Sequence, residues 1–432
     1  MDPSTAGQSQ PPLRRAGLAC CRSCSGASLT TFLDLGCQPI ANALLEERQL
    51  EEPEPSFPLE LAFCHDCGLV QVTETIPPDV LFGRDYPYFS SFSPALLAHS
   101  RQHVRQILAE SSLGPESLIV EVASNDGYLL SNFIAAGIPV FGIDPAAGPV
   151  AAARQRGVPT LQAFFGARLA RKLAAEGKRA DVMIANNVAA HVDQINDFIE
   201  GFAILLKDDG FARLEVAYLR DMIEKCEFDT VYHEHLFYWS IAAMDGLLAR
   251  HGLHLNDAER LPIHGGSIRL TTSKKPGQSE RLKGLLAEEA SVGMGDLSYY
   301  RSFAAHVEQL RQALHASVLQ IRSEGARLAA YGAAAKGATL LNYMKFEDGV
   351  VEYVVDRNPQ KVGKYLPGVR VPIRPVETLT LDRPDYVLVL AWNFATEIIQ
   401  QNQEYARMGG QFILPVAERP SLQPLIHREL ET

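Results

Sequence analysis

Strands alternate with helices in two separate stretches of this 432-residue chain, one opening at Ser117 and the other at Arg327. Ahead of both, four cysteines form two CxxC pairs, Cys21 with Cys24 and Cys64 with Cys67. These observations predict an α/β fold in three parts: a small metal-stapled ribbon, then two regions each built on a parallel sheet. The length agrees, because about 150 residues per domain gives about three domains.

The ribbon comes first. Six of the seven cysteines lie in the first sixty-seven residues, and the two CxxC knuckles can point four thiolates at one centre, which makes a closed tetrahedral site for a structural zinc ion. A redox dithiol is the weaker reading, since it leaves the second knuckle unexplained. Cys20 could exchange with Cys21 as a ligand, whereas Cys37 and Cys226 read as small buried residues. His65 and Asp66, inside the second knuckle, read as exposed or as neighbours of the ligands. The insertion between knuckles, TTFLDLGCQPIANALLEE, should hold an extended stretch and a short helix before the EEPEPS turn. An aromatic segment follows from Ile76 to Ser93, either core filler or a pocket wall, and then a helix from Pro94 to Ser111.

SLIVEVA, GIPVFGIDPA, ADVMIANNV and GFARLEV then read as strands of a parallel sheet, with helices between them. Helical segments are expected from Leu219 to Arg250, followed by two strands joined by PIHGG. A long helical region from Glu280 to Glu324, interrupted near Gly293 to Leu297, leads to the second strand-helix alternation. There RLAAYG, VEYVVD, PDYVLVLAWN and QFILPV supply the strands.

With 47% apolar and 21% charged residues the chain can bury real cores, and a formal charge of −11 argues against polymeric nucleic acid and anionic membranes. No apolar run marks a secretory signal or a membrane span, so the expectation is a cytoplasmic enzyme working as a monomer on small molecules.

The first sheet ends in a polar crevice. Glu121 closes its first strand, and Ala123, Ser124, Asn125 and Gly127 form a small-residue turn into the next helix. This is not the GxGxxG fingerprint, and Glu121 would repel a pyrophosphate. Asp144, ending the second strand, can accept from both hydroxyls of a ribose, or it can cap the helix that follows. Acidic groups at both strand ends suit a ligand with ribose hydroxyls and a positive head, namely S-adenosylmethionine. Asn186 and Asn187 bound the same crevice. The densest polar run is DTVYHEHLFYWS, with Tyr232, His233, Glu234 and His235 in sequence and His191 as a neighbour across the crevice. It lacks the HExxH spacing of a zinc protease. His235 reads either as a general base or as a satisfied core histidine.

Taken together, LDLGCQPIANALL, CHDCGLVQ, YPYFSS, VEVASNDGYLL, ANNVAAHV, FDTVYHEHLFYWS, HGGSIR, GAAAKGATLLN, DRNPQKVGKYLPG and LAWNF resemble, in order, the sugar C-methyltransferases of bacterial deoxysugar pathways. The resemblance implies a zinc ribbon with an aromatic lid over residues 1–95, a class I methyltransferase domain over 96–300, and a Rossmann-like, nucleotide-sugar-binding domain over 301–432. It places the methyl donor on Glu121, Ala123, Asn125, Asp144 and Asn186, although the family often has Gly where this chain has Ala123. The acid/base set falls on Tyr86, His191, Tyr232, Glu234 and His235. His235 would be the base, Tyr232 and His191 would hold the enolate, Glu234 would orient His235 or a sugar hydroxyl, and Tyr86 would cover the sugar. No catalytic metal is needed. Lys336, near the helix start in GAAAKG, would meet the diphosphate of the acceptor, or it is a solvated helix residue. Ala217 stands where the family has Pro. The implied reaction is C-methylation of a nucleotide-linked, dTDP-type 4-keto deoxysugar at C3. Methylation of oxygen, nitrogen or another carbon acid is the alternative, and a non-catalytic zinc-ribbon scaffold is a third reading.

Overall fold

The computed structural model describes residues 18–77, 90–415 and the backbone of 425–426, which form three sheets. In the ribbon, β1 (Leu29–Pro39), β2 (Ser56–Cys64) and β3 (Val70–Val72) pair antiparallel. The helix expected in the insertion is only a 3-10 turn at Glu47–Gln49. Cys37 is exposed, not buried. A register shift between Asp34 and Cys37, with Gly36 at φ +76°, reverses the alternation that carries Leu33 and Leu35 inward, so Gln38 is buried instead.

α1 (Pro94–Glu110) begins where Ser93 accepts a hydrogen bond from Leu96 N at 3.3 Å and Pro94 supplies a preset φ. Strands and helices then alternate: β4 (Ile119–Val122), α2 (Leu130–Ala135), β5 (Val140–Asp144), α3 (Ala147–Gln155), β6 (Thr160–Gln162), α4 (Ala167–Ala175), β7 (Ala180–Asn186), α5 (Ile195–Leu205) and β8 (Leu206–Ala217). β6 and α4 escape the sequence reading, because a three-residue strand leaves too short a pattern. β7, with five of its seven residues buried, is apolar on both faces because helices cover both sides of the sheet.

The region from Leu219 to Arg250 departs from the helical expectation. α6 (Leu219–Glu224) is followed by a 3-10 helix at Phe228–Thr230 and by turns through Tyr232–Leu236. β9 (Phe237–Tyr238) then pairs antiparallel with β3, so this middle segment completes the ribbon's sheet in the order β1-β2-β3-β9. Local pattern cannot foresee a two-residue strand whose partner lies far away in sequence. α7 (Ile241–Arg250) and the hairpin β10 (His254–Leu261) and β11 (Ser267–Ser273) finish a seven-stranded sheet ordered β10-β11-β8-β7-β4-β5-β6.

α8 (Glu280–Ser291) and α9 (Leu297–Ser323) match the interrupted helical region. Buried Tyr300, Phe303, Val307, Leu310, Leu314, Val318 and Ile321 recur every three or four residues along one face of α9. Tyr300 meets Phe63 of the ribbon, ring centroids 4.9 Å apart, and the apolar cluster they join continues through ribbon, middle sheet and C-terminal sheet. The last sheet holds β12 (Leu328–Tyr331), β13 (Val354–Asp356), β14 (Ile373–Pro375), β15 (Tyr386–Val389), β16 (Gln411–Leu414) and β17 (Leu425–Ile426), ordered β14-β13-β12-β15-β16-β17. Its first five strands are parallel, and α10 (Ala335–Met344) follows β12. In both large sheets a strand with parallel partners on either side, β4 or β12, marks the point where the winding reverses and a crevice opens.

Candidate functional site

At the carboxyl end of β4, Glu121 is 1% exposed and Asp126 fully buried, while Asp144 at the end of β5 is 5% exposed. Arg156 pairs with Asp126 at 3.0 Å, but Glu121 Oε2 and Asn186 Oδ1 are buried with no hydrogen-bond partner. Burial, then the charges of Asp144 and Asp126, push the Glu121 carboxyl well above the ordinary range. Two orphaned acceptors at neighbouring strand ends make a cradle for a cationic, hydrogen-bond-donating ligand. The ammonium and sulfonium of S-adenosylmethionine have that chemistry.

The turn after β4 is shaped by backbone strain. Ala123 and Asn125 have φ of +57° and +49°, and Gly127 has +76°. At Ala123 the left-handed conformation costs about 1 kcal/mol that Gly would not incur. A Cβ on Gly127 would lie 2.8 Å from Val158, so this position needs Gly for space as well. Both carboxylate oxygens of Asp144 already accept backbone N–H groups, Oδ2 from Asn125 at 2.9 Å and Oδ1 from Ala146 at 2.8 Å. These bonds close the turns after β4 and β5 and do not cap α3, whose N-cap is Ala146, and each oxygen keeps a second lone pair for a ribose hydroxyl. Asn125 Oδ1 accepts from Ser90 N at 2.9 Å, which ties the end of the aromatic segment to the donor turn. Beside Asn186 in the sheet, Glu215 is buried yet held down to about 2 by His99 and Arg269.

The polar run assembles next to this crevice through the segment after β7. Leu236 N donates to Ala190 O at 2.7 Å, and Trp239 Nε1 to Ala189 O at 3.2 Å. The rings of His191 and His235 meet edge to face at 4.8 Å. His235 Nδ1 lies 3.1 Å from the carbonyl of Thr230, and its Nε2 lies 2.7 Å from the Tyr232 hydroxyl. A carbonyl can only accept, so Nδ1 carries the proton and Nε2 accepts from Tyr232 O–H. Burial, then His191 and Lys336, lower the His235 pKa well below its usual value; burial lowers that of His191 as well. Both rings are thus neutral at neutral pH. His191 Nδ1 donates to the carbonyl of Glu234 at 2.7 Å.

Glu234 does not orient His235. Its Oε1 accepts from Asn42 of the ribbon at 2.6 Å, and burial pushes its carboxyl up to about 7. The peptide turn through Tyr232–His235 points alternate side chains apart, so neighbours in sequence serve different partners; buried His233 likewise turns to the ribbon, its Nε2 3.1 Å from Pro58 O. Lys336 is not a solvated helix residue: its Nζ donates to Asn393 Oδ1 at 2.9 Å and lies 4.2 Å from the centre of the Trp392 ring. Asp229 and Glu227 face it, and burial lowers its pKa. Tyr86 lies outside the described residues. Sequence reasoning missed Asn42, Asp229, Glu227 and Trp392; the LAWNF and PIAN motifs and the scarcity of tryptophan, two in the chain, were the available signals.

The four knuckle sulfurs lie within 4.8 Å of one another, with Cys21 to Cys67 at 3.7 Å and Cys24 to Cys64 at 3.6 Å. A tetrahedron with Zn–S bonds of about 2.3 Å requires edges of about 3.8 Å, so the cage fits zinc. Cys21 Sγ also accepts from Gln71 Nε2 at 3.1 Å. Exposed Cys20 is outside the cluster, and exposed His65 bonds Thr30 Oγ1 at 2.9 Å. Among the described residues no helix is long and apolar enough to cross a membrane.

Family models agree with this arrangement: a zinc binding domain over residues 21–82, a methyltransferase domain over 96–257, and a C-methyltransferase C-terminal domain over 262–417. The chain is 34% identical over 401 residues to C-methyltransferase NovU of Streptomyces niveus, covering 92% of this chain and 95% of that one. Solved structures similar to it include magnesium protoporphyrin IX methyltransferase from Synechocystis PCC 6803 with bound S-adenosylmethionine, at 17% identity over 41% of this chain and 79% of that one, TM-score 0.33. Another is the glycopeptide N-methyltransferase MtfA with S-adenosylmethionine, at 11% identity over 41% of this chain and 94% of that one, TM-score 0.32. With its cysteine cage, its donor crevice and a relative matched over nearly its whole length, the chain belongs to the zinc-binding, S-adenosylmethionine-dependent C-methyltransferases.

Proposed function

We propose that the acceptor is a nucleotide-linked 4-keto deoxysugar, carried on dTDP and methylated at C3 through its enolate. The observation that carries this reading is the Tyr232–His235 pair, in which a neutral imidazole has its lone pair on Nε2 and a phenol bonded to it beside the donor crevice. Oxygen and nitrogen acceptors bring their own lone pairs, whereas a carbon acid must first lose a proton to a positioned base. The 4-ketone makes the C3 proton acidic.

In this reading the C3–H bond breaks and its electron pair moves into the ketone as an enolate. The proton passes to the Tyr232 oxygen as that phenol's own proton passes to His235 Nε2, so the imidazole ends cationic. Neutral His191 spends its one proton on the Glu234 carbonyl through Nδ1, so its Nε2 can only accept; it suits a hydroxyl of the sugar and not the enolate oxygen that the resemblance assigned to it. The donor bound at Glu121, Asn125, Asp144 and Asn186 supplies an electrophilic methyl group for C3. The protein's tasks are orientation and exclusion of water, with Tyr86 over the sugar. Glu234 acts through Asn42, joining the ribbon to the site.

The division of labour follows the chain: residues 1–95 as the stapled lid, 96–300 as the donor domain, and 301–432 as the nucleotide clasp. At the reversal point of the last sheet, Gly332 has φ +98° and α10 begins at Ala335, a small-residue turn whose backbone N–H groups suit a diphosphate. Lys336 stands at its edge with part of its charge offset by Asp229 and Glu227.

The test is incubation with methyl-labelled S-adenosylmethionine and dTDP-linked 4-keto sugars deuterated at C3, read by mass spectrometry. Label gain with loss of the deuteron is expected. Label gain with the deuteron retained means oxygen or nitrogen methylation, and no label on any acceptor, from folded zinc-loaded protein, points to the scaffold reading; either result overturns the proposal.

A further inference from the structure

Helix α10 and the 3-10 turn Trp392–Phe394, both from the C-terminal region, close on the 3-10 helix Phe228–Thr230 of the middle region. The indole N–H of Trp392 donates to Asp229 Oδ2 at 2.6 Å, across 163 residues of sequence. Asp229 is fully buried; its Oδ2 takes the indole N–H, and its Oδ1 has no hydrogen-bond partner among the described residues. The Lys336 ammonium lies over the same indole and is bonded to Asn393. One residue beyond Asp229, the carbonyl of Thr230 holds Nδ1 of His235.

We infer that Trp392 is a positioning residue for the acid/base pair: by gripping Asp229 it fixes the Thr230 carbonyl, and that carbonyl fixes the tautomer of His235. The inference rests on the assignment of Tyr232 and His235 as that pair. The physical argument is one of alternatives. A His235 ring released from Thr230 can place its proton on either nitrogen, and with the proton on Nε2 it can no longer accept from Tyr232. What selects the useful tautomer is the carbonyl's position. That carbonyl belongs to a three-residue helix with few bonds of its own, so its carboxylate anchor matters. Its other ties are local: Thr230 N and Oγ1 donate to Glu227 O at 3.1 and 2.7 Å, Val231 N to Phe228 O at 3.0 Å and Phe228 N to Cys226 O at 2.9 Å. The C-terminal region thereby does more than hold nucleotide, because docking of Trp392 completes the catalytic geometry of another region. The groups facing Asp229 are Lys336 from α10, Trp392 from the turn, and Glu227 and Cys226 from its own segment.

The test uses the full zinc-loaded chain labelled with 15N-histidine, in which the His235 ring signals are identified by their loss in His235→Asn. Wild type should show the Nδ1–H tautomer. Trp392→Phe keeps an aromatic ring while removing the N–H donor and part of the indole's volume; it should shift His235 toward the Nε2–H form and lower the turnover of the acceptor by at least about tenfold, with KM for S-adenosylmethionine changed less than about threefold. An unchanged tautomer in Trp392→Phe overturns the inference whatever the activity. If that variant does not fold, Asp229→Asn, which keeps an oxygen for the indole, and Asp229→Ala, which does not, give the same reading: the tautomer should shift in the alanine variant alone, and a shift in neither overturns it. Full activity in His235→Asn would instead overturn the site assignment, which separates the two failures.

Discussion

The Tyr232 hydroxyl stands 2.7 Å from Nε2 of His235, and the rings lie 4.0 Å apart at 34°. The Thr230 carbonyl on the opposite nitrogen makes Tyr232 the donor in this bond. In the proposed reaction Tyr232→Phe removes the phenol that relays the proton, and His235→Asn removes the group that finally takes it. Each should lower turnover by about 10²–10⁴-fold while the affinity for S-adenosylmethionine, measured calorimetrically, stays within about threefold. Equal losses in donor affinity would place these residues in the donor site.

Glu121 should show stability and binding moving in opposite directions. Its carboxyl is buried, has an orphaned Oε2, and faces Asp144 and Asp126, so its charged form is destabilising until a cation arrives. Glu121→Gln should raise the melting temperature of the free protein at pH 7.5 and weaken S-adenosylmethionine binding by about tenfold or more. A variant that melts lower and binds equally well would show that Glu121 serves packing alone.

Zinc removal should impair catalysis although the cage has no open coordination position. Cys64 lies in the same core as Phe63 and Tyr300, and β3 of the ribbon pairs with β9 just after His235. Cys64→Ser, or prolonged chelation, should release one equivalent of metal, lower the melting temperature, and cut turnover together with the loss of the Asn42–Glu234 contact. Metal analysis alongside activity checks this; a zinc-free chain with full turnover would contradict it.

The Glu234 carboxyl gives a signed pH dependence. Burial raises it to about 7 in the folded chain, above its unfolded value near 4.3. The folded state then binds more protons than the unfolded state between those values, so this group's contribution to stability falls as pH rises from about 4 to about 7. Glu234→Gln keeps an oxygen for Asn42 and removes the ionisation. Relative to wild type it should gain stability on going from pH 5 to pH 8, by on the order of 2–3 kcal/mol, in denaturant titrations. A difference that stays flat with pH would mean that Glu234 titrates normally.

Much of this molecule was legible in its sequence, for reasons of locality. The CxxC pairs declare a four-thiolate cage because two residues between cysteines already bring their sulfurs to one centre. β4, β5, β7 and α9 are readable because their burial repeats along a single element, and Glu121, Asp144 and Asn186 are found as residues closing strands. The sequence also places Tyr232, Glu234 and His235 together. It does not say which way each points. That choice belongs to distant partners: Asn42 draws Glu234 into the ribbon, Thr230 sets His235, and Trp392 reaches Asp229 from the C-terminal region. Cys37 shows the same limit at smaller scale, since the register shift in β1 turns it outward against its alternation. Chemistry carried by adjacent residues was determined by the sequence itself. Orientation, tautomer and protonation were decided only by tertiary structure, because each depends on burial and on hydrogen-bond partners that folding brings from far along the chain.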